Sequence, residues 1–480
     1  MRFKKWQFKK VAILMVLLLL LSMVAVACQG GEEPAGEPEA EEPTAETEPA
    51  EEEEAAQEEP EAEEEPTAEE EAAEEEEAAE EEPAEEEAEP VTLTFWIYDS
   101  FDGEDAAIYD VVAGFEAENP NVTVEIVPTQ YGSSSFRDKF ITAAQAGAGP
   151  DVLMADIIWS PEFAAIQAAQ PIDEMLPEGK LDEFFPGPVT TLQYQGQTYG
   201  LPFYTNALAM FYNKDAFEEA GLPDPADGWS WEEFETAVEA TTTDDGQYGF
   251  GALAGWCASF EWFPFLWSNG GRVLNEDLTQ AAFNDEAGVE SAEFFLGILS
   301  SDNVPEAAKT WQSWDELAAA FTNEVVTMYE VGDWGIGAVE GMEPDFEWGV
   351  APLPVAEEPA SVVGGANLMI NANTENADAA YALIDYLTSD PVVFEMMDSY
   401  NRLAARRGSM DGQAIVREDP RMQVFVEALE YARARPPIPN WTAVDWDCIQ
   451  PAFCEVLLEG KDVETAMSEA EMCANEALSP

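Results

Sequence analysis

The sequence of 480 residues contains no histidine. This absence excludes Ser-His-Asp and Cys-His catalytic sites, His-ligated metal sites and acid–base catalysis by histidine. Basic residues are also scarce, since 19 Lys and Arg stand against 100 Asp and Glu. A chain of this charge repels nucleic acid, so we expect no nucleic-acid partner. Paired-carboxylate chemistry, as in glycosidases, is compatible with the composition.

Residues 29–90 lack Asp, Lys, Arg and aromatic residues but include 32 Glu. Such a segment has little to bury and its like charges repel, so we expect a disordered, extended acidic linker over residues 28–90. Before it, a basic start and an apolar run at 11–27 lead to Cys28. This order is typical of a secretory signal at residues 1–27, with an uncleaved membrane anchor as the alternative. A cysteine at the cut resembles a bacterial lipoprotein signal, which implies acylation of Cys28 and an extracytoplasmic protein held at the cell membrane.

The folded body begins near residue 91 with alternating strand and helix patterns. Residues 91–97, 122–126 and 151–156 have strand-like patterns, and helical spacing of apolar residues separates them. This βαβαβ order predicts an α/β fold with a mostly parallel sheet that is covered by helices. Ligands bind beyond the carboxyl ends of such strands, which places Trp96, Tyr98, Ser134, Asp156 and Trp159 along one rim.

Motifs farther along the body carry a family resemblance. The runs YGLPFY at 199–204, LAMFYNKD at 208–215, WSWEEF at 229–234, GDW at 332–334, GVAPLP at 349–354 and LLEGK at 457–461 follow one another in order. Together they resemble the family 1 extracellular solute-binding proteins, which are sugar-binding components of bacterial ABC importers similar to maltose-binding protein. The resemblance covers nearly all of residues 91–478. The sequence departs from the family in one loop, residues 401–407, where the usual proline is absent.

The resemblance implies a two-lobe periplasmic-binding-protein-like fold. Lobe I would comprise residues 91–206 and 326–372, and lobe II residues 207–325 and 373–480, with chain crossings near Asn206, Val325 and Ala372. A carbohydrate, expected to be an oligosaccharide, would be gripped by closure of the lobes and delivered to membrane ABC permease subunits. We expect a monomer without enzymatic activity, cofactor or metal. A polyamine or other cationic solute is an alternative ligand, and a surface glycosidase is an alternative of another class.

Candidate ligand-binding residues combine rings that suit sugar C–H faces with polar groups that suit hydroxyls. Besides the five residues of the rim, they are Tyr204, Trp256, Trp262, Asp333, Trp334, Gly365, Arg402, Arg406 and Trp441. Alternative roles are core packing for the rings, helix capping for the aspartates and local ion pairs for the arginines.

Four cysteines remain in the body, and an even number outside the cytoplasm suggests disulfides. Residues 449–459 and 462–478 are predicted to form two helices joined by a turn at 460–461. Residues equidistant from the turn of a helical hairpin lie at the same height, which predicts a Cys448–Cys473 bridge. Cys454 would then be free or paired with Cys257. Four reduced thiols are the alternative.

The lipoprotein prediction can be tested at Cys28. Replacing Cys28 by Ala should release the body from the membrane or leave an unprocessed precursor, because the acylated residue is lost. Membrane fractionation with mass spectrometry of the N-terminus measures this. A variant that is processed and retained at the membrane like the parent would contradict the prediction.

Overall fold

The computed structural model describes residues 89–103, 106–130, 134–408 and 412–479. The predicted signal, Cys28 and all but the last two residues of the predicted linker lie outside these residues. In the described part of the chain, none of the helices has both the length and the apolar character needed to cross a membrane.

Strands and helices alternate through the body. The strands are β1 Val91–Tyr98, β2 Val122–Thr129, β3 Val152–Asp156, β4 Gln193–Tyr194, β5 Gln197–Thr198, β6 Leu201–Asn206, β7 Leu208–Asn213, β8 Tyr248–Gly251, β9 Val326–Gly332, β10 Trp348–Ala351, β11 Val362–Ile370, β12 Leu403–Ala404 and β13 Arg433–Ala434. The helices are α1 Ala107–Glu118, α2 Ser134–Gln145, α3 Ser160–Ala165, α4 Pro186–Thr191, α5 Lys214–Ala220, α6 Trp231–Thr241, α7 Ser259–Ser268, α8 Glu286–Leu299, α9 Trp314–Thr322, α10 Trp334–Met342, α11 Ala377–Leu387, α12 Val392–Ser399, α13 Ala414–Glu418, α14 Pro420–Leu429, α15 Trp441–Val444, α16 Gln450–Glu459 and α17 Val463–Ala477. A π-helical turn, Asp445–Ile449, links α15 to α16.

The larger sheet has the strand order β12-β6-β11-β3-β1-β2, with β13 beside β11. Strand β1 runs parallel to β2 and β3, as the βαβαβ pattern predicts. Strand β11 is antiparallel to β3 and β6, and β12 is antiparallel to β6. The two-lobe α/β prediction is confirmed, but the sheet is mixed rather than mostly parallel. The reason is that β11 enters this sheet from the other sheet, in the opposite direction.

The smaller sheet has the order β10-β7-β9-β8. Strand β7 is antiparallel to β9 and β10, and β8 is parallel to β9. Only Ala207 separates β6 of the larger sheet from β7 of the smaller one. The chain therefore passes between the sheets beside Asn206, where the first crossing is predicted. We use large lobe and small lobe for the parts built on the two sheets.

Strand pairing corrects several of the predicted lobe bounds. Residues 326–351, assigned to lobe I from the sequence, carry β9 and β10, which both pair with β7 of the smaller sheet. Residues 377–399, assigned to lobe II, form α11 and α12, which pack against α1 of the large lobe. The chain returns to the larger sheet between β10 and β11, not near Val325 or Ala372. The resemblance that implied these bounds rests on the order of motifs along the chain, which does not specify the sheet that each strand joins.

Helix starts in the small lobe follow directly from local sequence. In the WSWEEF motif, Ser230 caps α6, and the Glu233 side chain accepts a hydrogen bond from the Ser230 backbone N–H. Ser313 and Glu316 form the same reciprocal arrangement at the start of α9. Each capping box satisfies backbone N–H groups that have no partner within the helix, which fixes where the helix begins.

The C-terminal helices form the predicted hairpin. Helix α16 ends at Gly460, whose φ of 71° is in the left-handed region that glycine adopts without a steric cost. Cys448 and Cys473 are joined, with their Cα atoms 5.6 Å apart, which is the pairing that the hairpin geometry predicts. Cys257 is joined to Cys454, so the second bridge attaches α16 to the segment just before α7.

Two glutamates are buried together in the small lobe. Glu261 on α7 is 1% exposed, and Glu330 on β9 is fully buried. Burial raises the pKa of Glu261 to about 8. Burial also raises the pKa of Glu330 well above its ordinary value, and the charge of Glu261 raises it further. These groups are therefore protonated in the folded protein at neutral pH, and they favour folding at acidic pH.

This burial predicts a pH-dependent effect of replacing Glu330 by Gln. Because the folded-state pKa of Glu330 lies well above the unfolded one, stability is present at low pH and is lost as pH rises above the unfolded value of about 4.3. Glu330→Gln should therefore raise the free energy of unfolding at pH 9 relative to the parent, and change it much less at pH 5. Denaturant unfolding at both pH values measures the difference. The exposed Glu235→Gln serves as control, and equal effects of Glu330→Gln at both pH values would refute the assignment.

Candidate ligand-binding site

A first group of side chains joins the two lobes around Arg402. Arg402 precedes β12 of the larger sheet, while Asp333 and Trp334 follow β9 of the smaller sheet. The guanidinium carbon of Arg402 lies 5.5 Å from the Trp334 ring centroid and 5.9 Å from that of Tyr204. The backbone N–H of Leu403 donates to Asp333 Oδ2 at 3.0 Å, a hydrogen bond between the lobes. We call Tyr204, Asp333, Trp334 and Arg402 the Arg402 cluster.

A second group surrounds Arg435, which directly follows β13 of the larger sheet. Arg435 Nη2 lies 3.8 Å from Oδ1 of Asp156, the last residue of β3. The small lobe contributes Phe260, whose ring centroid is 4.8 Å from the guanidinium carbon of Arg435. It also contributes Asp445, which accepts a hydrogen bond from Ser259 and is stabilised by the charge of Arg435. We call Asp156, Phe260, Arg435 and Asp445 the Arg435 cluster.

The electrostatics of the two clusters are coupled through Tyr204. Burial raises the pKa of Tyr204, while Arg402 lowers it and both Asp156 and Asp333 raise it. Burial raises the pKa of Asp333 to about 6, and the charge of Arg402 opposes that rise. Burial raises the pKa of Asp445 to about 6 as well. We refer to the two clusters together as the polar region between the lobes, in which Arg402 lies near Asp333 and Arg435 lies near Asp156 and Asp445.

Several buried polar atoms of this region have no hydrogen-bond partner among the described residues. Two are donors, Trp334 Nε1 and Arg435 Nε. Three are acceptors, Oδ1 of Asp333, of Asp445 and of Asn206 at the chain crossing. A buried polar group without a partner is costly, typically by about 1–3 kcal/mol. A ligand that both donates and accepts hydrogen bonds would satisfy both kinds.

Three of the predicted rim residues lie instead around Phe136 in the large lobe. The Tyr98 ring meets Phe136 edge-on with centroids 5.3 Å apart, and Trp159 stacks on it at 5.9 Å. Trp96 also meets Phe136 edge-on, and Lys139 Nζ lies 4.2 Å from its ring centroid. All three side chains are buried against Phe136 and contribute to the packing of the large lobe.

Three further candidates have structural partners elsewhere. Trp262 is fully buried in the small lobe, and its Nε1 donates to Ser291 Oγ at 3.1 Å. Trp441 is 1% exposed and packs against Phe263. Arg406 forms ion pairs with Glu183 and Asp390 on the large lobe. Trp262 and Arg406 therefore have polar partners of their own, while Trp441 Nε1 is a further buried donor without a partner among the described residues.

Three candidates remain, namely Gly365, Ser134 and Trp256. Gly365 has a φ of 124°, and a side chain there would collide with the Tyr204 carbonyl oxygen, so glycine permits the close approach of β11 to β6. Ser134 is the first residue of α2. Trp256 is exposed and lies just before α7.

The sequence predicts five members of the two clusters, Asp156, Tyr204, Asp333, Trp334 and Arg402, but it misses Asn206, Phe260, Arg435 and Asp445. One signal could have located Arg435. Only 14 basic residues belong to the body, since 5 of the 19 precede Cys28, and each is therefore a candidate for a buried role. Asp445 has no comparable signal among 68 acidic residues, which is 100 less the 32 of the linker.

From the Arg435 cluster we predict that Arg435→Met lowers the free energy of unfolding by an amount that depends on pH. The change leaves Asp156 and Asp445 without their buried cation, so the folded-state pKa of Asp445 should rise above about 6. The free energy of unfolding should fall by about 2–4 kcal/mol at pH 8, and by less at pH 5, where Asp445 is protonated.

Arg433→Met is the matched control, because Arg433 forms an exposed ion pair with Glu358. Such surface pairs contribute at most about 1 kcal/mol. Denaturant unfolding of both variants measures the difference. Equal losses in the free energy of unfolding for the two variants would contradict the proposal that Arg435 neutralises buried aspartates.

The chain is similar in sequence to known binding proteins. The sequence profile of the family described as bacterial extracellular solute-binding protein matches residues 98–393. The maltotriose-binding protein of Pyrococcus abyssi is 25% identical over 355 residues, which cover 72% of this chain and 74% of that protein. The matched region covers most of the folded body of this chain.

Solved structures show the same architecture. An ABC transporter solute-binding protein from Thermotoga lettingae, bound with α-D-tagatose, is 30% identical with a TM-score of 0.70, and the match covers 81% of this chain and 100% of that one. The GacH receptor of Streptomyces glaucescens, solved unliganded and with acarbose, is 27% identical with a TM-score of 0.70, covering 81% and 98%. This chain therefore belongs to the bacterial extracellular solute-binding proteins, a family of binding proteins that act outside the cytoplasm and are not enzymes.

Proposed function

We propose that this protein captures a carbohydrate between its lobes and delivers it to the permease subunits of an ABC importer. The observation that carries the proposal is the set of buried donors and acceptors without partners in the Arg402 and Arg435 clusters. A sugar hydroxyl both donates and accepts hydrogen bonds, so one ligand class complements both. The names of the relatives that bind maltotriose and acarbose support an oligosaccharide.

The rings of the Arg402 cluster suit the same ligand class. Trp334 is partly buried, and the Arg402 guanidinium lies near both its ring and the ring of Tyr204. Trp334 can therefore present an aromatic face to a ligand next to hydrogen-bonding groups. Sugar rings have apolar C–H faces that pack on such surfaces, while their hydroxyls reach the polar groups at the edges.

The charges of the site favour a neutral sugar over a polyamine. The body is strongly acidic, which by itself would attract a cation. Within the polar region, however, Arg402 and Arg435 already neutralise the nearby aspartates. A polyamine would be repelled by both guanidinium groups, whereas uncharged hydroxyls would not.

We propose further that the lobes hinge about segments that connect them, including Ala207, 352–361 and 435–440. Opening would separate Asp333 and Trp334 of the small lobe from Leu403 and Arg402 of the large lobe, which they contact here, and closure would restore these contacts. The proposal includes a monomeric body that is attached to the membrane through acylated Cys28.

The ligand prediction is tested by melting temperature and by titration. Maltose, maltotriose, other neutral oligosaccharides, putrescine and spermidine are added to the parent protein, because a ligand that binds the native state raises its melting temperature. A rise with a sugar and none with the amines is expected. Trp334→Ala should then weaken sugar affinity by about 1–3 kcal/mol, since a buried ring contact is lost.

Trp348→Ala is the matched control, because Trp348 stacks on Phe211 and lies under Arg421 on the small lobe, away from both clusters. It should retain sugar affinity. Stabilisation by the amines alone would overturn the carbohydrate proposal. Unaltered affinity of Trp334→Ala would remove that ring from the site.

A further inference from the structure

Gln413 is a buried polar residue whose side-chain amide is bonded through both its oxygen and its nitrogen. It lies directly before α13 and is fully buried. Its Oε1 accepts from the backbone N–H of Ala404 at 2.8 Å, and its Nε2 donates to the Arg402 carbonyl oxygen at 2.8 Å. Burial of an amide destabilises a fold unless its donors and acceptors find partners. These two bonds therefore account for a glutamine at a position that water does not reach.

Both bonds go to the outer edge of β12, which stands at one end of the larger sheet beside β6. The backbone N–H of Ala405 donates to the Phe203 carbonyl oxygen of β6, whereas that of Ala404 donates to Gln413. A strand at the edge of a sheet has N–H and C=O groups that no neighbouring strand pairs. The amide of Gln413 takes the place of such a strand beside Arg402 and Ala404.

Asp398 on α12 holds Gln413 in this orientation. Its Oδ1 accepts a further hydrogen bond from Gln413 Nε2 at 3.4 Å. Its Oδ2 accepts from the backbone N–H of Ala414, the first residue of α13, at 2.8 Å. Its Oδ1 also accepts from the backbone N–H of Ile415 at 3.3 Å. One carboxyl group thus fixes both the side chain of Gln413 and the start of the helix that follows it.

The stretch that Gln413 holds is a part of the large lobe that meets the small lobe. Leu403 lies between the two residues that the amide bonds, and its backbone N–H donates to Asp333 Oδ2 at 3.0 Å. The guanidinium carbon of Arg402 lies 5.5 Å from the Trp334 ring centroid. A shift of residues 402–404 would displace both contacts at once, because the contacts start from adjacent residues of the chain.

We propose that Gln413 is a positioning residue for ligand binding, whose amide fixes the backbone of residues 402–404 so that Arg402 and the Leu403 N–H meet the small lobe when the lobes close. The inference rests on the proposed carbohydrate function. Gln413 acts through Arg402 and Leu403, to which its two bonds are adjacent. Loss of the contacts that it positions weakens sugar binding about tenfold, which corresponds to the loss of about one hydrogen bond to a charged group.

Calorimetric titration with maltotriose, cellotriose and xylotriose tests this role. Each trisaccharide is titrated at pH 8 into the parent, Gln413→Met and Gln423→Met. Methionine is similar in length to glutamine but cannot replace either hydrogen bond. Gln423→Met is the matched control, because Gln423 donates to the Val416 carbonyl oxygen at 3.2 Å and so bonds to α13 rather than to β12. Gln413→Met should bind about tenfold more weakly than the parent, and the control should keep the parent affinity.

A double variant distinguishes positioning from a general loss of stability. If Gln413 acts through Arg402, the losses of affinity in Gln413→Met and Arg402→Met share the same contacts. The variant that carries both changes should therefore lose less affinity than the two single losses combined, whereas independent effects on the fold would add.

Gln413→Glu adds a variant whose effect depends on pH. An ionised carboxylate at this position meets the Arg402 carbonyl oxygen and Asp398, which both repel it, whereas a protonated carboxyl can accept from Ala404 and donate to Arg402 as the amide does. Burial and Asp398 raise the pKa of the introduced carboxyl, so it is protonated at pH 5. Relative to the parent at the same pH, Gln413→Glu should bind weakly at pH 8 and recover at pH 5, whereas Gln413→Met should not recover.

Three results would overturn the positioning role: parent-like affinity of Gln413→Met, fully additive losses in the double variant, or a relative affinity of Gln413→Glu that is the same at both pH values. The last comparison remains decisive if Gln413→Met does not fold. Failure of the parent to bind any of the three trisaccharides would instead overturn the proposed carbohydrate function on which the role rests.

Discussion

The structure depends on one extended stretch of chain that passes directly from one sheet into the other. Strands β6 and β7 are separated by the fully buried Ala207, so the backbone has to remain hydrogen-bonded while it changes sheets. Ser361 provides this: its hydroxyl accepts from the Leu208 N–H and donates to the Leu208 carbonyl oxygen. Thr205 Oγ1 donates to the Gly364 carbonyl oxygen on the other side of the crossing. Buried backbone groups need such partners, and here they place Tyr204 and Asn206 between the lobes.

Scarce cations are used where two lobes with excess negative charge meet. Arg402 and Arg435 belong to the large lobe, and each lies against an aromatic ring and near a buried aspartate of the small lobe. Low solvent access strengthens these interactions and makes any missing partner costly. Because burial raises the pKa of Asp333 and Asp445 to about 6, packing of the lobes and protonation of these carboxyls favour each other.

Hydrophobic periodicity and the order of motifs along the sequence predict much of this fold. The strands around Trp96 and Asp156, and the Cys448–Cys473 bridge, follow from periodicity and from distance to a turn. The sequence does not separate ligand rings from core rings, because Trp262 and Trp334 have the same chemistry and differ only in what surrounds them. It also misses Arg435 and Asp445, which meet Asp156 and Phe260 only after distant parts of the chain have come together.

The interleaving of the sheets has a consequence for how the chain reaches its native state. Strand β11 lies between β3 and β6, and the larger sheet is completed by β12 and β13, which come from the last fifth of the sequence. The Cys257–Cys454 bridge likewise joins residues 197 positions apart. Contacts of such long sequence separation form slowly, because loop closure costs entropy before the contacts compensate for it. The larger sheet therefore cannot be completed until nearly the whole chain is available, whereas every strand of the smaller sheet lies within residues 208–351, so the smaller sheet can form first.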